Sequence, residues 1–187
     1  MNKTIFITGA AKRIGKEIAL CFSEMGWNII IHYNSSKNDA QVLADEINGN
    51  NPDSAITVQG NLDVKEDVEK VINEVRDAFP TIDLLINNAS TFYPTPIEDI
   101  SEEHWDKLVG SNLKGPLFLI KGLKDKLKGS KGSIINITDT NLSKGVANYS
   151  IYSAKAGLES ITKGLARELA PDIKVNAIAP GAILEPP

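Results

Sequence analysis

Tyr152 and Lys155 are the two side chains whose types and spacing best suit proton transfer. Residues three positions apart share a face of a helix, so the two side chains are expected to be neighbours. A nearby ammonium group favours the phenolate and lowers the pKa of a tyrosine from about 10. In most helices such a tyrosine and lysine only face solvent. This pair, however, closely follows a predicted strand. The pair therefore predicts a tyrosine that exchanges protons near neutral pH.

The segment Thr4–Gly15 has the pattern of a phosphate-binding strand, turn and helix. An apolar run at Ile5–Ile7 leads to Gly9, and a helical pattern opens at Ile14. Gly9 permits a sharp turn and close approach of a phosphate to the backbone, and Gly15 permits close packing of the helix on the strand. Free N–H groups and the helix dipole favour an anion there. The segment predicts a dinucleotide site, the alternative being an ordinary β–α turn.

The residues after the second predicted strand favour NADP(H) over NAD(H). An acidic residue there would bond the ribose 2′-hydroxyl and select NAD, but this chain has Asn34–Lys37, with hydroxyls and a lysine. Lys12 and Arg13 add positive charge from the neighbouring loop, and arginine can bind phosphate with two parallel hydrogen bonds. Alternatively, Ser35 and Ser36 only cap the next helix.

Strands and helices alternate along the whole chain. The predicted strands are Ile5–Ile7, Asn28–Tyr33, Ala55–Gln59, Leu84–Asn87, Ser133–Ile137 and Lys174–Ile178. The predicted helices are Ile14–Met25, Asn38 or Asp39 to Ile47, Lys65–Phe79, Ser101 to about Leu127 with a break or kink near Gly115-Pro116, and Tyr149–Ala170. This alternation predicts an α/β fold in one domain, residues 1–187, namely a Rossmann-like, doubly wound parallel sheet with helices on both faces.

Ligands of such sheets bind at the carboxyl ends of the strands, so the loops after the strands should form the site. These loops are Gly9–Arg13, Asn34–Lys37, Asn61–Asp63, Asn87–Pro96, Thr138–Asn148 and Pro180–Leu184. Asn61 and Leu62 are placed under the adenine by this layout alone. Asn112 is a polar residue among leucines in a predicted helix, which suggests a specific role.

Composition restricts the class of partner and the compartment. A formal net charge of −4 and a pI near 5.3 argue against nucleic acid or an anionic membrane as the main partner. The single cysteine, Cys21, excludes an internal disulfide framework and fits a reducing cytosol. No apolar run approaches the roughly 18–20 residues needed to span a bilayer, and a strand beginning by Thr4 leaves no space for a signal peptide. We expect a cytoplasmic protein without a metal site.

Several motifs combine into one set that covers nearly the whole chain. The set comprises Thr8-Gly9, Ile14-Gly15, Asn87-Asn88-Ala89, Asn112, Tyr152 with Lys155, and Pro180-Gly181. As a set it resembles the short-chain dehydrogenase/reductase family. Four details resemble its pteridine reductase branch: Arg13 in place of a glycine, the loop His32–Ser36, the loop Asn88–Pro96, and Asp139 where most of the family has a catalytic serine.

The resemblance implies roles for residues around the substrate. Arg13 is expected to contact the cofactor pyrophosphate and the edge of the substrate, and Ser90 the cofactor or substrate. Phe92 is expected to stack on the substrate ring against the nicotinamide. The full set of expected cofactor contacts is Gly9, Lys12, Arg13, Ile14, Gly15, Tyr33, Asn34, Ser35, Ser36, Asn61, Leu62, Asn88, Ala89, Ser90, Lys155, Pro180 and Gly181.

The implied catalytic residues are Asp139, Tyr152, Lys155 and Asn112. Tyr152 would relay the proton, Lys155 would hold the nicotinamide ribose, and Asn112 would support the lysine through water and backbone. A ketone reductase must stabilise an oxyanion, for which a serine hydroxyl is suited. Reduction of a pterin C=N bond protonates a ring nitrogen instead, and Asp139 with Tyr152 can carry that proton from water. Alternatively, Phe92 belongs to the core and Asp139 caps a turn.

The sequence departs from the family pattern in two places. The family has three residues between the tyrosine and the lysine, but this chain has two, which rotates the lysine by roughly 100°. Either the start of the helix compensates for this difference, or the pair is misaligned, or the sequence lacks one residue. Tyr149 could replace Tyr152 as the partner of the lysine, but it lies six residues from Lys155 and fits less well. The chain also ends soon after Pro180-Gly181, with Ala182–Leu184 where a nicotinamide-binding threonine is usual. We therefore expect a truncated chain with an apolar sheet edge.

Three functions remain open from the sequence. The leading hypothesis is an NADPH-dependent reductase of a pterin or folate-like substrate. The alternatives are a general carbonyl or 3-oxoacyl-thioester reductase and a non-catalytic NADP-binding protein. The resemblance implies a homo-oligomer, usually a tetramer.

Overall fold

The computed structural model describes residues 2–143 and 145–181, with the side chains of Leu142 and Ser143 left aside. The strands are β1 Thr4–Ile7, β2 Asn28–Tyr33, β3 Ala55–Gln59, β4 Leu84–Asn87, β5 Ser133–Ile137 and β6 Lys174–Ile178. The helices are α1 Arg13–Glu24, α2 Lys37–Asn50, α3 Lys65–Ala78, α4 Glu102–Val109, α5 Gly115–Ser130 and α6 Ala154–Glu168. Short 3₁₀ turns lie at Ile97–Asp99, Thr140–Ser143 and Ile151–Ser153.

The six strands form one parallel sheet in the order β3-β2-β1-β4-β5-β6. The strand order reverses between β1 and β4, where the loops after these strands diverge and leave a crevice. The predicted Rossmann-like fold is confirmed, with helices on both faces.

Alternate residues of each strand enter separate cores on the two faces of the sheet, as the two-residue period of a strand requires. Ile5 and Ile7 belong to the core that also contains buried residues of α2. Phe6 points the other way and joins the core built with α3 and α5. Because both faces of the central strands are covered, β1 is apolar at nearly every position.

The long helix predicted from Ser101 is divided by a wide turn at Gly110–Lys114, not by a kink at Pro116. In this turn the Gly115 N–H donates to the Gly110 carbonyl, a spacing of five residues that is typical of a π-helical turn. Pro116 then lies in the first turn of α5, where its missing N–H is tolerated. The prediction placed the interruption too late, and the observed turn contains Asn112.

The helix predicted to start at Tyr149 begins later. The 3₁₀ turn Ile151–Ser153 comes first, and α6 starts at Ala154. Asn148 has a φ of 63°, which cannot belong to a right-handed helix, and its carbonyl accepts the N–H of Thr95. At its other end α6 stops before Pro171, because a residue preceding proline disfavours the helical conformation.

The sixth strand lies at one edge of the sheet, and Ile178 on it is 51% exposed. Within residues 2–143 and 145–181, none of the helices has both the length and the apolar character to cross a membrane.

Gly15 provides a test of the contact between α1 and the loops beneath it. A Cβ at this position would lie 2.4 Å from the Gly9 carbonyl oxygen and 2.8 Å from the Asn88 side-chain nitrogen. We expect Gly15→Ala to lower the free energy of unfolding by about 2 kcal/mol, because backbone must move. Gly49→Ala is the matched control: Gly49 has open space around it in α2, so stability should rise by up to about 1 kcal/mol. Urea denaturation measures both, and equal effects would contradict the packing argument.

Candidate active site

A cleft of about 450 Å³ opens at the carboxyl ends of the strands, beside the reversal in strand order. It is lined by Gly9, Lys12, Arg13, Ile14, Gly15, His32, Asn34, Asn61, Leu62, Asp63, Asn88, Ala89, Ser90, Thr91, Phe92 and Ser111. Most of the expected cofactor contacts are thus brought to one place. The lining does not include Tyr33, Ser35, Ser36, Lys155, Pro180 or Gly181.

Hydrogen bonds between Thr8 and Asn88 join the loops that follow β1 and β4. The Thr8 hydroxyl accepts the backbone N–H groups of Asn88 and Ala89, each at 2.9 Å. The Asn88 side-chain amide donates to the carbonyls of Thr8 at 2.9 Å and Gly9 at 3.1 Å. Gly9 has a φ of 62°, and a Cβ there would lie 2.9 Å from the Ala89 Cα. The glycine is therefore required both for the turn and for this close contact.

The amino end of α1 fits the phosphates of a dinucleotide. Lys12, at the N-cap, makes no capping side-chain hydrogen bond, and the first turn has no acidic residue. The N–H groups of this first turn therefore have no side-chain acceptor. Together with the helix dipole they favour the binding of an anion. Arg13 is exposed at the cleft and has a φ of 53°, in the left-handed region that disfavours non-glycine residues. The chain carries a charged side chain at a position whose backbone suits glycine.

The end of the cleft at β2 and β3 lacks a carboxylate at position 34. The Asn34 amide donates to the Asn61 side-chain oxygen at 3.4 Å. The Lys12 ammonium forms an ion pair with Asp39 at 3.0 Å, a partner not anticipated from the sequence. Tyr33, expected to contact the cofactor, is instead buried in the core, because its side chain points from β2 toward α2 and not into the cleft. This expectation is corrected.

Tyr152 lies against Asp139, at the end of β5. The Tyr152 hydroxyl donates to one Asp139 carboxylate oxygen at 3.2 Å, and the other oxygen accepts the Asn141 N–H at 2.7 Å. Burial and the Asp139 charge raise the pKa of Tyr152 to about 12, against a smaller opposing effect of the Ser90 hydroxyl. The sequence predicted a pKa lowered by a nearby ammonium, whereas burial and the neighbouring Asp139 carboxylate both act in the opposite direction.

Lys155 is hydrogen-bonded to the end of β5 and not to the tyrosine. It is 1% exposed, and its ammonium donates to the Ile137 carbonyl at 2.7 Å. Burial lowers the pKa of Lys155 to about 8, an effect that the Asp139 carboxylate partly offsets. The 3₁₀ turn before α6 therefore does not restore the expected pair. Asp139 is the charged group that influences both side chains.

Asn112 holds the loop after β4 and makes no direct hydrogen bond to Lys155. Its side-chain oxygen accepts the Ser90 hydroxyl at 2.8 Å, and its amide donates to the carbonyls of Thr91 at 2.8 Å and Leu108 at 2.9 Å. The side chain is completely buried with its donors and acceptor satisfied. Asn112 thus fixes the position of Ser90, a role that its place among leucines did not specify.

Three aromatic rings meet beside the cleft. Phe92 stacks on Tyr149 with centroids 4.6 Å apart and an angle of 10°, and meets the edge of Tyr152 at 4.7 Å. Phe92 is 59% exposed, which excludes the alternative that it is a core residue. Since Phe92 also lines the cleft, these rings connect it to Tyr152 and Asp139. From the sequence, Tyr149 was only a possible substitute for Tyr152, and its stacking on Phe92 was not predicted.

The loop after β6 contacts the loop after β5. The Pro180 carbonyl accepts both the N–H and the hydroxyl of Thr140 at 3.2 Å. Gly181 follows, while Ala182–Leu184 lie outside the described residues. Among those described, no three His, Cys, Asp or Glu side chains come together as a metal site would require.

Arg13 provides a test that separates backbone strain from charge. We expect Arg13→Gly to raise the free energy of unfolding by about 1 kcal/mol, because glycine adopts the observed φ without strain. Arg13→Ala, which keeps a Cβ but loses the guanidinium, should give no such gain. Thermal denaturation measures the difference. Equal stability of the two variants would contradict the strained backbone.

Lys155→Met tests the cost of burying the lysine. The pKa of Lys155 falls from 10.5 in the unfolded chain to about 8 in the folded one, so the unfolded state binds more protons between these values. Below pH 8 the folded state bears the full free-energy cost of burying a charged ammonium. This cost disappears as the pH rises toward 10.5. The variant should therefore be more stable than wild type by about 1–2 kcal/mol at pH 7, once the loss of the hydrogen bond to Ile137 has been subtracted.

Denaturation at a series of pH values measures this advantage of Lys155→Met. The advantage should shrink as the pH rises from 8 toward 10.5. Lys163→Met, at an exposed position of α6, should show no such pH dependence. A constant difference between wild type and Lys155→Met across this range would contradict the lowered pKa.

Comparison with known proteins agrees with this architecture. The family model for short chain dehydrogenases matches residues 3–186. A 3-oxoacyl-acyl-carrier-protein reductase of Staphylococcus epidermidis is 36% identical, with 98% of this chain and 76% of the relative covered. An NAD-dependent glycerol dehydrogenase of Listeria innocua is 35% identical, with 98% and 71% covered. Pteridine reductase 1 of Leishmania tarentolae is 34% identical, with 96% and 76% covered.

These relatives support the general reductase alternative better than the pterin hypothesis, since the 3-oxoacyl reductases are at least as similar as the pteridine reductase. The pteridine reductase branch expected from the sequence is not confirmed. The cleft and the motifs around it, together with the match over nearly the whole chain, establish a coarser conclusion: the chain is an oxidoreductase that belongs to the short-chain dehydrogenase/reductase family.

Proposed function

We propose that the chain is an NADPH-dependent reductase that transfers a hydride to a C=N bond of a pterin or folate-like substrate. The observation that carries the choice of substrate is the hydrogen bond between the Tyr152 hydroxyl and the Asp139 carboxylate. A carboxylate at this place would repel the oxyanion formed from a ketone, but it can resupply a proton to a ring nitrogen.

The cofactor would occupy the cleft at the carboxyl ends of the strands. Its pyrophosphate would face the amino end of α1, near Gly9 and Gly15, with Arg13 beside it. Asn34 and the positive charge of Arg13 favour the 2′-phosphate of NADP(H) over NAD(H), and Lys12 would have to exchange its ion pair with Asp39 for the phosphate. Asn61 and Leu62 would lie at the adenine, and Asn88 and Ala89 nearer the nicotinamide. When bound, NADPH supplies the hydride.

The side chains beyond the cleft would manage the proton. Because the pKa of Tyr152 is about 12, the tyrosine is protonated at neutral pH and suited to donate. Asp139 is half-buried, so it can receive a proton from water and pass it to the tyrosine. Ser90 would hydrogen-bond the substrate or cofactor, held in place by Asn112. Lys155 would require a shift away from Ile137 to contact a ribose hydroxyl.

The exposed face of Phe92 suits a flat heteroaromatic substrate. Its ring already stacks on Tyr149, and such offset pairs contribute about 0.5–1.5 kcal/mol beyond burial. A planar substrate would replace or extend this stack, so Phe92 and Arg13 are proposed as substrate contacts. A homo-oligomer in the cytoplasm is part of the proposal, by family resemblance.

A second candidate is reduction of the ketone of a 3-oxoacyl thioester. The relatives named as 3-oxoacyl reductases favour it. In this case the Ser90 hydroxyl, not Asp139, would donate to the developing oxyanion. A third candidate, cofactor binding without catalysis, is favoured by the hydrogen bond that holds the Lys155 ammonium on the Ile137 carbonyl.

Substrate specificity can be tested through NADPH oxidation with dihydrobiopterin, dihydrofolate and a 3-oxoacyl thioester. We expect turnover of a pterin or folate, and a loss of about 100-fold in Asp139→Ser, since positioned acid–base groups contribute on this order. Asp125→Ser, an exposed carboxylate on α5, is the control and should change little. Turnover of the thioester alone would favour the second candidate. Cofactor binding with no turnover would favour the third.

A further inference from the structure

His32 is a buried titratable side chain that the proposed chemistry does not use. It lies near the carboxyl end of β2, after three isoleucines, and is 2% exposed. Both ring nitrogens are engaged: Nδ1 lies 3.1 Å from the backbone nitrogen of Gly9, and Nε2 lies 3.0 Å from the carbonyl oxygen of Gly60. The ring also meets the edge of Phe6. One side chain therefore links the loops that follow β1 and β3.

The two partners determine the tautomer of His32. The Gly9 N–H can only donate, so Nδ1 must be unprotonated and accept. The Gly60 carbonyl can only accept, so Nε2 must carry the hydrogen. Burial lowers the pKa of His32 to about 4, which agrees with a neutral ring at neutral pH. The imidazole is thus a fixed connector with one acceptor and one donor.

The connection acts on the phosphate-binding turn. The His32 backbone carbonyl also accepts the Ala10 N–H at 2.9 Å, so side chain and backbone together hold two consecutive residues of the turn. The Asn88 amide holds the Gly9 carbonyl from the opposite side. With the polar groups of Gly9 occupied, the N–H groups of the first turn of α1 remain for an anion.

We propose that His32 is a positioning residue for the dinucleotide phosphates, because its neutral ring holds the Gly9 turn against the loop at Gly60. The inference rests on the proposed cofactor site but concerns a residue that reaches the cofactor through the turn. His32 lines the cleft and binds the backbone of the turn, so loss of its ring would remove one of the hydrogen bonds that hold Gly9 in place.

The two hydrogen bonds can be removed separately. The side-chain oxygen of His32→Asn can take the place of Nδ1 and accept from Gly9, whereas the amide of His32→Gln can take the place of Nε2 and donate to Gly60. Each variant retains one bond and carries one amide, so they are matched controls. His32→Phe removes both bonds and keeps a flat ring.

The dissociation constant for NADPH, measured by calorimetry, and the amide hydrogen exchange of Gly9 provide two independent readouts. His32→Asn should bind NADPH within about threefold of wild type and keep slow exchange at Gly9. His32→Gln and His32→Phe both lose the hydrogen bond to the Gly9 N–H. They should bind NADPH about tenfold more weakly, which is the size expected for one hydrogen bond, and show faster exchange at Gly9. If His32 were needed only for stability, the affinity for NADPH would fall in parallel with the melting temperature, and His32→Asn would not restore it.

The outcomes separate this inference from the proposed function. If wild type binds NADPH and the Gln and Phe variants bind equally well, the role of His32 is refuted while the cofactor site stands. If wild type fails to bind NADPH, the proposed function fails, and Gly9 exchange still tests the tether. Should the variants not fold, ¹⁵N chemical shifts of the wild-type ring decide: a proton on Nδ1 would overturn the assignment, and one on Nε2 supports it.

Discussion

The hydrogen bonds between Thr8 and Asn88 tie the two halves of the sheet together where the strand order reverses. In a doubly wound sheet this is the place where the loops separate and leave a crevice. The crevice keeps its shape only if the two loops are fixed to each other. Thr8 and Asn88 fulfil this condition with their side chains, and Gly9 and Gly15 allow the backbones to approach. Arg13, Ser90 and Phe92, which line the cleft, follow these two joined segments in the chain.

Features encoded by short-range patterns could be predicted from the sequence. The predicted bounds of β2 to β6 agree with the structure, because apolar runs between glycine, proline and polar turns specify buried strands locally. The glycine turn is also a local pattern, and Gly9 lies in the wall of the cleft. The asparagine at position 34 and the serine at position 90 were identified as site residues because each follows a strand, and both line the cleft.

Features that depend on contacts between distant segments could not be predicted. The placement of Lys155 relative to Tyr152 depends on where α6 begins, and the segment before this helix is bound to Thr95 through the Asn148 carbonyl, a contact that no local pattern reveals. The contacts of His32 depend on Gly9 and Gly60, which are far apart in the sequence and follow the strands on either side of β2. The pKa of Tyr152 likewise depends on Asp139, thirteen residues earlier. In each case a side chain has a partner on another loop.

The position of Asp139 between two buried groups has a consequence for charge balance. With Tyr152 protonated and Lys155 mostly protonated at pH 7, the negative charge of the carboxylate offsets the positive charge of the lysine, so the three groups together are nearly neutral. Removing one proton would leave a net negative charge in a poorly solvated region, which is unfavourable. Of the three groups, Asp139 is the most exposed to water, so a proton exchanged by this cluster has its shortest route to solvent through the carboxylate.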